Sequence, residues 1–275
     1  MSQAAPASSD LTTRFAAGVA MIAVAIAAIW FGGWPFRLLV GAGAAVMIVE
    51  WSDMHGLKRA WAWTAVALML AATLALPEML FAAADQDPVE IGPALLPNAG
   101  IGFAAILAAG LALGLAARKP SLGWGFVYIG VPAFALLVLR WAWFETVFWL
   151  MLVTWATDIF AYFAGRSIGG PKLARRISPN KTWSGLAGGM IGAAVIGAIA
   201  ARYFGLPTPF LWLGAIMGLI AQLGDLYESS VKRRLGVKDS GSILPGHGGV
   251  LDRADGLLAV AAATFLVLAW TLATA

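Results

Sequence analysis

Long apolar runs separated by short polar segments recur along the chain from residue 15 to residue 273. A helix needs about 20 predominantly apolar residues to cross the hydrocarbon core of a bilayer. Each run of this kind predicts a transmembrane helix: residues 15–33, 35–52, 60–82, 97–117, 122–139, 142–164, 184–204, 208–229 and 255–273. The pattern therefore predicts an all-α, polytopic integral membrane protein with about nine transmembrane helices.

The composition agrees with a membrane protein. Of the 275 residues, 61% are hydrophobic and 12% are charged, whereas a soluble domain is about half apolar and a quarter charged. The absence of cysteine excludes disulfides and thiolate metal sites, and two histidines, His55 and His247, are too few for a zinc cluster. We expect membrane lipid and small molecules as partners, and no nucleic acid.

Charge divides the chain and orients it. Fifteen of the 18 Lys and Arg fall on one side of the nine predicted helices, and Arg37, Arg140 and Arg202 fall on the other. The positive-inside rule then places the N-terminus in the cytosol and the C-terminus outside. We distinguish a polar tail (1–14), N-terminal transmembrane helices (15–140) and a C-terminal transmembrane catalytic region (141–275), because charges at the membrane edge gather after residue 150.

The most charged stretch is residues 229–255, SSVKRRLGVKDSGSILPGHGGVLDRAD, which we call the signature segment. Its Lys and Arg suit phosphate oxygens, and its carboxylates suit hard cations such as Mg²⁺. The backbone N–H groups of its glycines, which lead into a helix, offer donors to anions. The segment predicts a cytosolic site for metal and phosphate.

Two further groups of charges adjoin this segment. Asp225 and Glu228 share one helical face that Ser229 and Lys232 continue, and an antiparallel helix pair brings Asp225 and Asp252 to the same depth. Asp255 suits a helix dipole, and the role of Glu228 stays open.

After the sixth predicted helix, a cationic patch favours phosphate recognition, with headgroup attraction as the alternative: Arg166, Lys172, Arg175, Arg176 and Lys181. We favour Lys181 for phosphate contact, because Ser178, Pro179 and Thr182 predict a turn around it. Asp158, predicted near the cytosolic end of this helix, has no assigned role.

The order of these residues resembles a known family. The run S-x-V-K-R, K-D and S-G-S-I-L-P-G-H-G-G-V-L-D-R-A-D closely resembles the signature of phosphatidate cytidylyltransferases, and D-x-x-A-Y-F-x-G-R and S-P-x-K-T resemble a second block of that family. Ala254 and Ser184 depart from the usual pattern. The resemblance is specific over about residues 155–255.

The resemblance implies transfer of the cytidylyl group of CTP to phosphatidic acid, giving CDP-diacylglycerol and pyrophosphate, on the cytosolic side of a bacterial inner membrane. It implies that Asp225 and Asp252 bind Mg²⁺, with room for a second cation. We expect Lys232, Arg233 and Lys238 to act with this pair on the phosphates. The remaining candidate substrate-binding residues are Lys181, Ser229, Asp239, His247, Gly248, Gly249 and Arg253.

Two other functions stay open from the residues alone. A CTP-dependent lipid kinase of the polyprenol or phytol type would need a general base, and His247 is the candidate. As a residue in a turn, however, His247 is better suited to a hydrogen bond with phosphate or backbone than to a role as base. An ion-coupled transporter would use Asp158 and Asp225, but the charges gather on one side. The glycines at 185, 188, 189 and 192 predict close helix packing, within the chain or in a homodimer.

Overall fold

The structure is a computed structural model that describes residues 7–81, 91–244 and 248–274. The predicted all-α class is confirmed, and the helices follow the apolar runs closely because a chain in lipid must satisfy its backbone hydrogen bonds internally. The elements are α1 (Ala7–Phe31), α2 (Gly33–Met54), α3 (Arg59–Leu70), α4 (Leu76–Phe81), α5 (Ile91–Ala116), α6 (Pro120–Ala142), α7 (Phe144–Ser167), β1 (Lys172–Ala174), β2 (Ser178–Thr182), α8 (Trp183–Phe204), α9 (Pro209–Trp212), α10 (Gly214–Arg234) and α11 (Leu251–Thr274).

Seven helical segments in the described part of the chain are long and apolar enough to span a membrane. They are α2, α3 with α4, the 95–116 part of α5, α6, α7, α8 and α11. The predicted count of nine is therefore not confirmed. The last residues of α10 are polar, which keeps this helix outside the set, and the apolar described part of α1 is only 18–31. Helix α1 itself begins at Ala7, inside the segment predicted as a polar tail.

The predicted helix 60–82 contains one irregularity. Residues Ala71–Ala75 form a π-helical turn between α3 and α4, two residues before Pro77. Proline lacks an N–H group and disturbs the regular hydrogen-bond ladder, and π turns occur at such disturbances. The buried Thr73 hydroxyl donates to the carbonyl of Met69 at 2.8 Å, and the chain is helical without a break from Arg59 to Phe81.

Helix α6 lies at the centre of the bundle. In its most apolar window 78% of the residues are buried, against 28–39% in the other six spans. Helices α2, α5 and α11 pack around it. Such a central position excludes lipid from most of α6 and makes it the common support for both halves of the chain.

Helices α7 and α8 pack closely along the glycines of α8. A Cβ atom on Gly185 would lie 3.0 Å from the carbonyl of Ala161, and one on Gly189 would lie 2.9 Å from the carbonyl of Thr157. Gly188 and Gly192 likewise contact Ala164 and Phe160 of α7. The glycine pattern therefore serves packing within the chain and gives no support to a homodimer.

A short hairpin connects α7 to α8. Strands β1 and β2 pair antiparallel, with Lys172 opposite Thr182 and Ala174 opposite Ser178. The Thr182 hydroxyl then caps α8 by accepting the N–H of Gly185 at 3.0 Å, as Thr commonly does at a helix N-terminus. The sequence predicted a turn here, and the structure instead places Lys181 on a strand that leads directly into α8.

Candidate active site

A cavity of about 510 Å³ lies between α7, β2, the start of α8 and α10. Its polar lining includes Asp158 and Arg166 from α7, Lys181 from β2, and Gln222 and Asp225 from α10. Side chains from two separate sequence blocks, 158–186 and 222–225, therefore face one space. The cavity has the size of a small-molecule site, which typically measures about 300–1,000 Å³.

Lys181 and Asp225 form the central ion pair of this cavity. The Lys181 ammonium lies 2.6 Å from Asp225 Oδ2 and donates to Gln222 Oε1 at 3.0 Å. The Ser229 hydroxyl donates to Asp225 Oδ1 at 3.2 Å. The Asp225 side chain keeps 33% of its surface exposed, so a ligand in the cavity can reach it.

A second ion pair joins α10 to α11. The Lys232 ammonium lies 2.6 Å from Asp252 Oδ1 and 3.3 Å from Glu228 Oε1. Burial by itself lowers the pKa of Lys232, but the hydrogen bond to Asp252 and the charge of Glu228 raise it by more, so the net pKa lies above its ordinary value. Lys232 thus stays charged at neutral pH and compensates the Asp252 carboxylate, whereas burial raises the pKa of Glu228 to about 9.

Asp252 also holds the signature segment through backbone contacts. Its oxygens accept the N–H of Ser240 at 3.1 and 2.9 Å and the N–H of Gly249 at 2.9 Å. With Lys232, three donors hold the carboxylate, the Ser240 N–H being shared between both oxygens, and the side chain is only 9% exposed. Of the about four acceptor sites of a carboxylate, Asp252 therefore leaves little for a ligand. Asp252 is not among the cavity-lining residues, and the Gly249 N–H has a protein partner.

The other predicted residues of the signature segment lie nearer the surface. Arg233 donates to the carbonyls of Ile177 at 3.3 Å and Val237 at 3.4 Å, which ties the end of α10 to the hairpin loop. Lys238 and Asp239 are exposed, as is Arg253, which lies within electrostatic reach of Asp158. Gly248 adopts a positive φ of 81°, a conformation that glycine adopts at little cost. His247 lies outside the described residues.

Asp255 is placed differently from its predicted position. Helix α11 begins at Leu251, so Asp252 lies in the first turn and Asp255 one turn further along. The dipole role predicted for Asp255 therefore suits Asp252 better. Asp255 instead interacts electrostatically with Asp158, Asp225 and Glu228, which makes one connected group of carboxylates, two of which line the cavity.

Glu50 is a site residue that the sequence did not indicate. It lies on α2, in the N-terminal half, and is only 2% exposed. Its oxygens accept the N–H groups of Val250 and Leu251 at 2.8 Å each and the Ser240 hydroxyl at 3.1 Å. A lone carboxylate in an apolar run gives no pattern that reveals partners some 200 residues away.

The cavity fits a magnesium ion that is held in part by a phosphate ligand. Within 7–81, 91–244 and 248–274, no group of three or more His, Cys, Asp or Glu could hold a metal by itself. Mg²⁺ commonly binds one or two carboxylates together with substrate phosphates and waters. The half-open Asp225 carboxylate meets that requirement, and Asp252 would join it only after Lys232 or a backbone donor moves away.

Comparisons with known proteins cover nearly the whole chain. A sequence model of the cytidylyltransferase family matches residues 12–271. A phosphatidate cytidylyltransferase of Brucella abortus biovar 1 (strain 9-941) is 39% identical over 279 residues, which cover 94% of this chain and 93% of the relative. One from Bacillus subtilis (strain 168) is 48% identical over 126 residues, 45% of this chain and 47% of the relative. One from Rickettsia conorii (strain ATCC VR-613 / Malish 7) is 37% identical over 161 residues, 54% of this chain and 69% of the relative.

Proposed function

Because the chain belongs to the cytidylyltransferase family, we propose that it transfers the cytidylyl group of CTP to phosphatidic acid and forms CDP-diacylglycerol and pyrophosphate. Relatives that share 37–48% identity carry the name phosphatidate cytidylyltransferase. Neither a lipid kinase nor a transporter is favoured by any of these comparisons. The protein is an integral membrane enzyme of phospholipid biosynthesis.

The observation that carries this proposal is the cavity that holds the Lys181–Asp225 pair beside the signature segment. An ammonium group and a carboxylate at 2.6 Å give one partner for phosphate and one for a cation. Arg166, Asn180 and Thr182 add polar groups to the same lining. The cavity thus offers the mixed charges that a nucleoside triphosphate and its cation require.

The reaction needs little proton transfer. A phosphomonoester has a second pKa of about 6, so phosphatidic acid carries nearly two charges at neutral pH and its oxygen is already nucleophilic. That oxygen attacks the α-phosphorus of CTP, the bond to the β-phosphate breaks, and pyrophosphate leaves. The protein must bring two anions together in line. Lys181 and Arg166 in the cavity, together with Arg233, Lys238 and Arg253 of the signature segment, reduce the repulsion between them.

The metal would be held by Asp225 and, after rearrangement, Asp252. When bound, Mg²⁺ neutralises phosphate charge and stabilises the leaving pyrophosphate. Lys232, which lies against Asp252 at 2.6 Å, would supply a positive charge to the phosphates beside this carboxylate. Ser229 orients Asp225 through its hydroxyl, and the role of a second cation stays a prediction.

We place the site on the cytosolic side of a bacterial inner membrane, because CTP is a cytosolic substrate and the cations gather on that side. The chain has no cysteine, so a single Ser242→Cys variant can report on sidedness; Ser242 is exposed, whereas Ser240 is buried. We expect an impermeant thiol reagent to label this variant in opened membranes and not in intact cells. Equal labelling in intact cells would contradict the assignment.

A direct assay tests the reaction. Purified protein in detergent is incubated with radiolabelled CTP, with and without phosphatidic acid and Mg²⁺, and the lipids are separated by thin-layer chromatography. We expect a labelled lipid that requires both substrates and the metal. In this assay the label is on the cytidine or the α-phosphate of CTP. In the control, diacylglycerol replaces phosphatidic acid and the CTP carries its label on the γ-phosphate. A labelled lipid in that control would indicate a kinase instead.

A further inference from the structure

We infer that Glu50 of α2 is a positioning residue for catalysis: it holds the signature segment and the start of α11 in the geometry that the reaction uses. This inference rests on the proposed function for its consequence and on the structure alone for its contacts. It extends the catalytic unit beyond residues 141–275, because α2 belongs to the N-terminal helices.

The contacts of Glu50 satisfy groups that would otherwise be unpaired. The first N–H groups of a helix have no partner within the helix, and Glu50 accepts that of Leu251, the first residue of α11, and that of Val250 just before it, at 2.8 Å each. A buried carboxylate is costly unless it is hydrogen-bonded, and Glu50 is 2% exposed with three donors. Glu50 therefore supplies acceptors to the N–H groups at the start of α11, and these N–H groups supply the donors that a buried carboxylate needs.

Ser240 connects Glu50 to Asp252. Its hydroxyl donates to Glu50 Oε2 at 3.1 Å, while its N–H donates to Asp252 Oδ2 at 2.9 Å. Glu50 thus fixes the residue whose backbone orients the proposed metal ligand. Groups that orient ligating carboxylates commonly change metal affinity or activity by about 10–100-fold when they are mutated.

The glycines around Glu50 leave room for nothing larger. A Cβ atom on Gly241 would lie 2.7 Å from Glu50 Oε1. A Cβ atom on Gly249 would overlap the Ser240 hydroxyl and would lie 2.9 Å from Glu50 Oε1. The backbone of the signature segment therefore approaches this carboxylate closely at two points, which is a feature of a preformed contact and not of a chance neighbour.

The test combines hydrogen exchange with kinetics in the full-length, detergent-purified protein. Glu50→Gln keeps the size of the side chain but replaces one acceptor oxygen with an NH₂ group. We expect amide exchange within residues 240–251 to become about tenfold faster, as follows from losing a hydrogen bond to a charged group. We expect kcat to fall about 10–100-fold, with KM for CTP within about threefold because the cavity is untouched.

Two controls separate positioning from general destabilisation. Asp53→Asn removes an exposed carboxylate from the same helix; this carboxylate pairs with Arg59 at 3.2 Å. The variant should change neither amide exchange nor kcat. Met69→Ala removes a fully buried side chain from α3 and should lower the melting temperature while kcat per folded molecule stays near normal.

The inference is overturned if folded Glu50→Gln protein keeps normal exchange in residues 240–251, or if its kcat loss only matches that of Met69→Ala at an equal loss of melting temperature. If Glu50→Gln does not fold, Ser240→Ala removes one donor to Glu50 and should give a smaller change in the same direction. If wild-type protein lacks the CTP reaction, the proposed function fails, while the exchange data still decide whether Glu50 holds the segment.

Discussion

The two lysine–aspartate pairs have the same chemistry but different surroundings. Lys181 and Asp225 meet at 2.6 Å in a cavity where the aspartate is 33% exposed. Lys232 and Asp252 meet at the same distance, yet that aspartate is 9% exposed and also accepts two backbone N–H groups. The first pair is accessible to a ligand, and the second builds the segment beside it.

This contrast bears on how the site works. When a ligand takes the place of one residue in an accessible ion pair, the free-energy cost is small. When one residue of a buried ion pair is removed, the other is left as an uncompensated buried charge. In the proposed function, Asp225 would therefore be the carboxylate that accepts a cation in place of Lys181. Asp252 is coupled to Lys232, Ser240 and, through Ser240, Glu50, so any change at Asp252 alters the segment as well.

The largest effect is expected from the aspartates themselves. Asp225→Asn and Asp252→Asn each remove a charged ligand and keep the size of the side chain. Loss of such a charge stabiliser should cost several kcal/mol, so turnover should fall about a thousandfold in the radiolabelled-CTP assay. The double variant should be little worse than either single one, because residues that act as a unit are not additive.

Asp53→Asn is the matched control, since this carboxylate is exposed on α2. Near-normal turnover and Mg²⁺ dependence in Asp225→Asn would remove this residue from the proposed metal site. The cavity would then have no support as the site of cation binding.

A smaller effect is expected at Lys181. Lys181→Ala removes the cation of the accessible pair, and hydrogen bonds to charged groups contribute about 1.5–3 kcal/mol. We expect KM for CTP or for phosphatidic acid to rise about tenfold or more, with little loss of melting temperature. Lys172→Ala removes an exposed cation from β1 of the same hairpin and should leave both KM values unchanged. Equal KM values in the two variants would mean that Lys181 does not contact a substrate and only contributes to the positive charge that orients the chain in the membrane.

The smallest effect is expected at Asp255. Its Oδ1 accepts the N–H of Gly256, the next residue, at 2.7 Å, and its side chain otherwise interacts with Glu228 and neighbouring carboxylates. Asp255→Asn should lower turnover by no more than about tenfold, the scale of one ordinary hydrogen bond. A loss as large as that of Asp225→Asn would show that Asp255 belongs to the metal site.

The sequence predicted the helices well and the contacts less well. Runs of apolar residues locate a membrane helix to within a few residues, as for the predicted 184–204 and the observed Trp183–Phe204. The spacing of Asp225, Glu228 and Lys232 predicted a shared face, and Lys232 indeed contacts Glu228. Spacing does not reveal a partner on another helix, so the Lys232–Asp252 pair was not foreseen.

Two local features also lay beyond the pattern. Strands of three and five residues are too short to show an alternating pattern, so the hairpin around Lys181 was predicted as a turn. Helix α11 begins four residues before the predicted 255, because Asp252 and Glu50 satisfy N–H groups at its start. Such capping depends on residues far along the chain and appears only in three dimensions.

Hydrogen exchange in residues 240–251, measured in Asp225→Asn and Asp252→Asn side by side, tests the difference between the two pairs most directly. Both variants should lose turnover, but only Asp252→Asn should exchange faster at Ser240 and Gly249, whose N–H groups bind that carboxylate. Asp225→Asn should retain wild-type protection. Equal acceleration in both variants, or wild-type protection in Asp252→Asn, would contradict the assignment of one aspartate to the cavity and the other to the signature segment.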